Sequence, residues 1–307
     1  MVQDICHRRK EHGAEKERKA QERLRMRLVQ AKESPISSKK LLKTSRRRRA
    51  RRLKGMVLFA IVGEMGSGKT LTCTYLGFKN WYFRKMKIFS NYHLYKIPYY
   101  YLDSVRQFDY MRDGVALLDE FWRICDSRLS RKTANKFVGD ILSRSRKRSL
   151  VYIYTAQVID TIDKRIRKVQ DFTSYAVGNR KETVMKTLVF RTGYAKSGTY
   201  MKTFYYTTEV PFMCYNSNEE IDMIDDTDVE GPYPEPKLMW QEGHSRCKDC
   251  TWVSTMDTGK CEHCESKNLE KIEPILFNTW EEADAFAQKY WEEKFKELGY
   301  GVSKSLS

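Results

Sequence analysis

The sequence lacks a hydrophobic stretch long enough to cross a bilayer. Its longest uninterrupted apolar run, Met56 to Val62, has seven residues, whereas a membrane-spanning helix needs about 20. The first ten residues include bases, but no apolar segment follows them, so they lack the pattern of an export signal. These absences argue against membrane insertion and Sec-dependent export. With 41% apolar residues, the chain can still form one large core and a smaller module.

Acidic residues are scarce in two segments of the chain. Residues 1–54 contain 20 Lys/Arg and 6 Asp/Glu, and residues 121–170 contain 13 and 4. Clustered bases favour a polyanionic partner, because binding nucleic acid releases counterions. Residues 1–54 are predicted to form a basic arm that is disordered or helical and that contacts nucleic acid. The alternative is a tail that only aids solubility. Residues 218–235 have the opposite bias, with eight acids and no base, and are predicted to be part of a linker.

Paired cysteines are confined to one segment. The other four are scattered singly, as is typical of a reducing compartment: Cys6, Cys73, Cys125 and Cys214. Two C-x-x-C pairs predict a zinc ribbon: Cys247, Cys250, Cys261 and Cys264. Two disulfides between these cysteines are disfavoured, because disulfides are rare in a reducing compartment. His244 and His263 are not needed if all four thiolates bind. Whether the ribbon binds nucleic acid, binds protein or only stabilises its own fold stays open.

The remaining pattern alternates strands with helices. It predicts a helix over 69–85, strands over 87–94, 115–118 and 150–155, and a helix at about 131–147. Segments 183–190 and 200–208 predict a β-hairpin, and 279–298 an amphipathic helix with a capping box. The predicted organisation is a basic arm (1–54), a nucleotide-binding domain (55–217), an acidic linker (218–240), a zinc ribbon (241–272) and a C-terminal amphipathic helix (273–307).

A glycine-rich segment directly after the apolar run matches G-x-x-x-x-G-K-[ST]. Glycines let such a loop curl so that backbone N–H groups face phosphate, and the following helix adds its positive end. In this motif Lys69 reaches the β and γ phosphates, and the Thr70 hydroxyl ligates Mg²⁺. The sequence therefore predicts ATP as ligand of an eight-residue loop: Gly63, Glu64, Met65, Gly66, Ser67, Gly68, Lys69 and Thr70.

The predicted strand Val115–Leu118 ends in two acids. An aspartate in this place, here Asp119, belongs to the Mg²⁺ shell of phosphate-loop proteins, and the adjacent Glu120 can orient or deprotonate an attacking water. The pair favours hydrolysis, since a kinase must exclude water from the γ-phosphate. The alternative is a pair of acids that only ends a strand and caps a helix.

A glutamine lies at the tip of the predicted strand Leu150–Thr155. Gln157 is predicted to contact the γ-phosphate and the water; as a loop residue facing solvent it would have no such role. Segment 87–94, between the phosphate loop and the Asp-Glu strand, is predicted to be the additional strand that separates one class of ATPases from kinases and GTPases. The predicted fold class is α/β, a P-loop NTPase of the RecA-like, additional-strand class with a parallel sheet between helices.

Three segments together resemble the FtsK/HerA-type DNA-translocating ATPases, which include viral genome-packaging ATPases and zonular-occludens-toxin-like phage assembly proteins: GEMGSGKT, VALLDE and LVYIYTAQVIDTIDKRIRK. The resemblance covers about residues 56–172. It implies a homo-oligomeric ring in which an arginine of one subunit completes the neighbouring site, with Arg144, Arg146 and Arg167 as candidates. The basic arm and the cysteine module do not belong to the common core of these proteins, and the toxin-like proteins have a membrane span.

The resemblance implies an ATP-hydrolysing DNA translocase, a genome-packaging ATPase of a virus or mobile element. Its cofactors would be ATP, Mg²⁺ and Zn²⁺, and its partners double-stranded DNA and a capsid or portal protein. It would act in the cytoplasm of a host cell or in association with the virion. Two alternatives stay open: an assembly ATPase that drives virion extrusion through a membrane partner, and a nucleic-acid-binding module that uses ATP only as a switch.

Overall fold

The structure is a computed structural model that describes residues 57–125, 138–139, 142, 145–178, 183–192, 199–217, 219, 221, 231, 233–256 and 258–298. The predicted basic arm lies outside these residues. Thirteen strands lie within them: β1 (Val57–Val62), β2 (Lys87–Ser90), β3 (Tyr99–Tyr101), β4 (Gly114–Leu118), β5 (Val151–Ala156), β6 (Phe172–Val177), β7 (Val184–Arg191), β8 (Thr199–Thr207), β9 (Leu238–Trp240), β10 (Ser245–Cys247), β11 (Val253–Ser254), β12 (Leu269–Lys271) and β13 (Ile275–Leu276).

Four α-helices are described from end to end: α1 (Lys69–Arg84), α2 (Lys164–Val169), α3 (Glu209–Phe212) and α4 (Trp280–Glu297). Short 3₁₀ turns cover Val105–Asp109, Phe121–Arg123, Ser145–Arg148 and Ile159–Thr161. Most of the helix predicted at about 131–147 lies outside the described residues. Among the helices that are described, we find none with the length and apolar character to cross a membrane.

Ten strands form one mixed sheet in the order β13-β9-β3-β2-β4-β5-β1-β6-β7-β8. All pairings from β3 to β6 are parallel, and the strands on either side pair antiparallel. Because the inner strands are covered on both faces, their sequences are continuous apolar runs, as in β4, where every residue is buried. The predicted α/β class with a largely parallel central sheet is confirmed.

The position of the additional strand differs from the prediction. β5 lies between the phosphate-loop strand β1 and the Asp-Glu strand β4, whereas β2, which covers the start of segment 87–94, lies on the far side of β4. The prediction was wrong because order along the chain does not fix order in a sheet, and parallel neighbours need a crossover connection. The additional strand is thus the strand that ends just before Gln157.

Two hydrophobic clusters cover the two faces of this sheet. Alternate residues of β1 point to opposite faces, so Ile61 joins the cluster that contains α1, whereas Leu58 and Ala60 join the other. The second cluster includes Ile166 of α2 and Phe121 of the 3₁₀ turn that follows β4. The sheet is therefore a middle layer, with its carboxyl-terminal strand ends left to carry polar residues.

The C-terminal helix α4 packs on α1. The rings of Phe78 and Trp291 meet edge to face at 4.8 Å between centroids, and the Trp81 indole donates a hydrogen bond to Asp284 at 2.8 Å. Thr279 caps the helix by accepting from the backbone N–H of Glu282, which is one half of the predicted capping box. The apolar face of α4 is thus buried against the nucleotide-binding domain itself.

The cysteine-containing segment is an insertion between two strands of the main sheet. β9 pairs with β3 and β13 pairs with β9, while the intervening β10, β11 and β12 form a separate three-stranded sheet. The chain therefore leaves the main sheet after Trp240 and returns to it at Ile275.

Candidate functional site

Residues 63–70 form a curled loop between β1 and α1. Gly66 and Gly68 have φ angles of 77° and 86°, in the left-handed region that residues with a side chain rarely adopt. A Cβ atom on Gly63 would lie 2.4 Å from Oγ of Ser67, so a side chain there would displace that hydroxyl. The loop has the tight backbone that the phosphate-binding motif predicts.

Lys69 and Thr70 begin α1, where the positive end of the helix faces the loop. The buried Lys69 donates from Nζ to the carbonyl oxygen of Glu64 at 2.9 Å, so its ammonium group lies within the curl of the loop. Thr70 donates from Oγ1 to Oδ2 of Asp119 at 2.9 Å. These two side chains present neighbouring oxygen atoms, the ligand type that Mg²⁺ prefers, so the donor set fits that ion.

Asp119, the residue after β4, is held from several sides. Its backbone N–H donates to Oδ1 of Asn91 at 2.8 Å, and its carbonyl accepts from Nδ2 of the same amide at 3.0 Å. Its carboxylate accepts hydrogen bonds from Thr155 and Thr70. Burial raises the pKa of Asp119, while these two hydrogen bonds act in the opposite direction. A bound cation would favour the ionised form.

Glu120 has a left-handed backbone with φ of 48°, which is uncommon for a residue with a side chain and recurs at functional sites. Its N–H donates to Oγ1 of Thr155 at 2.9 Å, and its carboxylate accepts a hydrogen bond from the indole of Trp122. Thr155 thus contacts both acids of the pair. The turn places the two carboxylates in different surroundings. The Asp119 carboxylate is buried and hydrogen bonded to Thr70, whereas Glu120 is half-buried and hydrogen bonded to Trp122.

Gln157 follows β5 directly, and its side chain is exposed. Because β5 lies between β1 and β4, Gln157 is at the same edge of the sheet as the phosphate loop and Asp119. This position is compatible with both alternatives for the residue, so its role as a sensor stays a prediction.

The three arginines proposed to act between subunits differ in what the structure describes. Arg144 lies outside the described residues, and the side chain of Arg146 does too. Arg167, on α2, forms an ion pair with Asp160 and is about one-third exposed. An action of Arg167 in a neighbouring site would require this surface pair to open.

The four paired cysteines converge in one cluster: Cys247, Cys250, Cys261 and Cys264. All four Sγ atoms lie within 4.8 Å of one another, and two of the contacts measure 3.6 and 3.5 Å. A tetrahedral zinc with Zn–S bonds of about 2.3 Å separates its sulfur atoms by about 3.8 Å, so the cluster fits this geometry. In the described residues, neither His244 nor His263 belongs to the cluster.

Each pair of cysteines lies on the same kind of turn. The N–H of Thr251 donates to the carbonyl of Cys247 at 2.9 Å, and the N–H of Glu265 donates to the carbonyl of Cys261 at 2.9 Å. Both donor residues have a positive φ, 62° and 60°. Two equivalent knuckles therefore face each other.

The phosphate loop follows the strand beside β5, and the Asp-Glu pair follows the strand on its other side. The chain has the fold of a P-loop NTPase. The loop, its lysine and threonine, and the acid that meets the threonine all lie at the carboxyl ends of the parallel strands, where α/β sheets bind their ligands.

No family model and no curated protein matches the chain. Among solved structures, it is similar to the N-terminal domain of zonular occludens toxin from Neisseria meningitidis (16% identity, 50% of this chain, 94% of that one, TM-score 0.38). It is also similar to the genome packaging NTPase B204 from Sulfolobus turreted icosahedral virus 2 (14% identity, 48% of this chain, 96% of that one, TM-score 0.37). A third similar structure is the flagellar accessory protein FlaH from Methanocaldococcus jannaschii (12% identity, 50% of this chain, 85% of that one, TM-score 0.27).

The sequence motifs do not point to Asn91, Thr155 or Trp122, although all three contact the Asp-Glu pair. The available signal was positional. Asn91 and Thr155 lie at the carboxyl ends of β2 and β5, the two strands next to β4, and polar residues at such ends meet at one edge of the sheet.

Proposed function

We propose that this protein is an ATP-hydrolysing DNA translocase, a genome-packaging ATPase of a virus or mobile element. The observation that supports it best is the hydrogen bond between Thr70, which follows β1, and Asp119, which follows β4, with β5 between these two strands. The adjacent carboxylate of Glu120 takes no part in this hydrogen bond. This arrangement offers one acid for the Mg²⁺ shell and a second for water. It suits hydrolysis rather than transfer to another acceptor.

In this proposal the chain performs hydrolysis with four side chains. Lys69 holds the β and γ phosphates inside the loop, and Thr70 and Asp119 hold the ion that neutralises them. Glu120 leaves Trp122, orients a water towards the γ-phosphorus and accepts its proton. The water oxygen bonds to phosphorus as the bond to the β-phosphate oxygen breaks, which releases ADP and phosphate. Gln157 would act as a sensor that contacts the γ-phosphate and the water.

The proposed partner is DNA because of where the bases lie. Residues 121–170 carry 13 Lys/Arg against 4 Asp/Glu, and this segment includes β5, which ends at the proposed ATP site. A segment with this excess of bases can bind a polyanion whose movement is driven by ATP turnover. The proposal includes a homo-oligomeric ring, with Arg144, Arg146 or Arg167 reaching the neighbouring site, and a capsid or portal protein as a further partner.

For the four-cysteine cluster the proposal is one structural zinc ion. All four positions are thiols, so no ligand place is left for a catalytic water. The segment between β9 and β13 is too short for a substantial core of its own, and such modules usually depend on their metal. Zinc would thus maintain a small module that the main sheet carries.

The deciding experiment measures ATP turnover by the full chain with and without double-stranded DNA. We expect DNA to increase the rate, and Glu120→Gln to remove both the basal and the stimulated activity. A slow rate that DNA does not change would contradict the translocase and favour a nucleic-acid-binding ATP switch. Absence of hydrolysis in the wild type under both conditions would contradict the ATPase altogether.

A further inference from the structure

The antiparallel strands β6, β7 and β8 have an exposed aromatic face. In their register Tyr175 lies opposite Leu188, and Phe190 lies opposite Tyr200. Tyr205 lies on the same face, opposite Lys186. The other face of these strands contains buried residues that pack towards α1, such as those around the stacked rings of Tyr75 and Tyr206. One face of these three strands is therefore buried against α1, and the aromatic face is not part of the hydrophobic core.

The aromatic residues of this face are exposed far beyond what a core residue allows. Tyr175, Tyr200 and Tyr205 are 43%, 54% and 52% exposed. Three rings form a continuous row across the strands, with centroids 5.6 Å apart from Tyr175 to Phe190 and 5.7 Å apart from Phe190 to Tyr200. A patch of this kind marks a binding surface.

The charge around the rings selects the kind of partner. Residues 172–207 contain six Lys/Arg and one acid. Lys186 lies on the aromatic face itself, between Val177 on one neighbouring strand and Tyr205 on the other. Aromatic rings with a lysine beside them are the combination that binds single-stranded nucleic acid, with nucleobases stacked on the rings and a phosphate held by the cation. An apolar partner protein would instead favour aliphatic residues and gain nothing from the bases.

We propose that this face of β6, β7 and β8, here called the aromatic platform (Tyr175, Lys186, Phe190, Tyr200 and Tyr205), binds single-stranded nucleic acid by base stacking. Only unpaired bases can stack on it, since the faces of bases in a duplex are covered by their neighbours. The proposal goes beyond the proposed function, because the platform would take single-stranded nucleic acid whereas the proposed translocase acts on double-stranded DNA, and it does not depend on ATP hydrolysis. A chain with no ATPase activity can still have the platform.

The test measures anisotropy of a fluorescein-labelled oligothymidylate bound to the full chain without nucleotide, against a double-stranded competitor. Each of Tyr175→Leu, Tyr200→Leu and Tyr205→Leu is expected to weaken binding about fivefold or more, because one stacked base contributes about this much. The Phe variants keep a ring and should bind as the wild type does. Phe83→Leu is the matched control, since Phe83 is 60% exposed on α1, away from the platform.

Equal affinity of the Leu variants and the wild type would overturn the proposal. Leu variants that bind oligothymidylate normally but sediment as smaller species would also overturn it and identify the face as an interface between copies of this chain. If a Leu variant does not fold, ultraviolet cross-linking of wild-type protein to a bromodeoxyuridine oligonucleotide decides: adducts on platform tyrosines support the proposal, and adducts only elsewhere contradict it.

A second pair of variants separates stacking from charge. Lys186→Ala should flatten the dependence of affinity on salt, because it removes one cation next to the bound strand. Lys202→Ala removes a base from the same hairpin but on the opposite face, next to Lys79, and should keep the wild-type slope. If Lys202→Ala reduced the salt dependence of affinity more than Lys186→Ala, the nucleic acid would bind on the opposite face of the hairpin, which would contradict the proposal.

Discussion

Thr155 is the residue that connects the two acids of the site. Its hydroxyl hydrogen bonds to the Asp119 carboxylate, and its oxygen accepts from the Glu120 N–H. Thr155→Val keeps the shape but removes both contacts, so a buried donor and acceptor lose their partners. We expect the free energy of unfolding to fall by about 1–3 kcal/mol and turnover to need more Mg²⁺. Chemical denaturation and ATPase assays at several Mg²⁺ concentrations measure the two effects.

Thr155→Ser is the matched control, because serine retains the hydroxyl. It should keep the wild-type Mg²⁺ dependence. A valine variant with normal turnover at low Mg²⁺ would show that Thr155 serves only packing.

Lys69 and Glu120 are expected to separate binding from chemistry. Lys69→Ala removes the charged donor inside the loop and should weaken nucleotide binding at least about tenfold. Glu120→Gln should keep binding and lower turnover by about 100-fold or more, since it removes the proton acceptor for water. Titration with a fluorescent ATP analogue and steady-state hydrolysis compare the two. Equal loss of binding in both variants would exclude Glu120 as the catalytic carboxylate.

Glu219 gives the fold a dependence on pH. Burial raises the pKa of its carboxyl to about 7, although the backbone N–H of His93 donates to both oxygens at 2.9 and 3.0 Å. A raised folded pKa means that the stabilising contribution is present below the ordinary value of 4.5 and is lost as pH rises through about 7. The melting temperature of the wild type should therefore fall relative to Glu219→Gln between about pH 5 and pH 8. A constant difference would contradict this assignment.

Single elements differed in how far the sequence predicts them. α1 and the β7–β8 hairpin follow from local patterns, namely apolar residues at helical spacing and β-branched or aromatic runs around a Gly-containing turn. The position of β5 between β1 and β4 cannot be predicted from such local patterns. Its apolar sequence indicates that both faces are buried but not which strands lie next to it. The polar residues at strand ends, such as Asn91 and Thr155, become meaningful only after this order is known.

The cysteine module is expected to bind one zinc per chain and to lose its fold without it. Cys264→Ala should abolish zinc binding and expose residues 245–271 to proteolysis, because three thiolates cannot complete the tetrahedron. Nucleotide binding should remain, since the phosphate loop lies on the central strands of the other sheet. Elemental analysis and limited proteolysis measure both effects.

Cys214→Ala provides the comparison, because Cys214 is a buried thiol outside the cluster. This variant should retain zinc. Purified wild-type protein that holds two disulfides and no metal would contradict the zinc site.

In the molecule as a whole, the main sheet is extended at both ends by antiparallel strands. β7 and β8 extend it beyond β6, and β9 and β13 extend it beyond β3. The amphipathic pattern of α4 predicts that this helix packs on something, but not that α1 is its partner, 203 residues away at the contact of Trp81 with Asp284. Contacts over such separations depend on the complete fold, so the sequence alone leaves them open.

Charge is the one property of the whole molecule that the sequence predicts directly. Residues 1–54 hold 20 of the 57 bases but only 6 of the 40 acids. Their deletion should lower the affinity for double-stranded DNA and flatten its salt dependence, because fewer counterions are released on binding. Nucleotide binding should stay close to that of the full chain, since residues 63–70 and Asp119 are retained. Titrations at several salt concentrations compare the two chains, and coinciding slopes would show that the arm does not contact DNA.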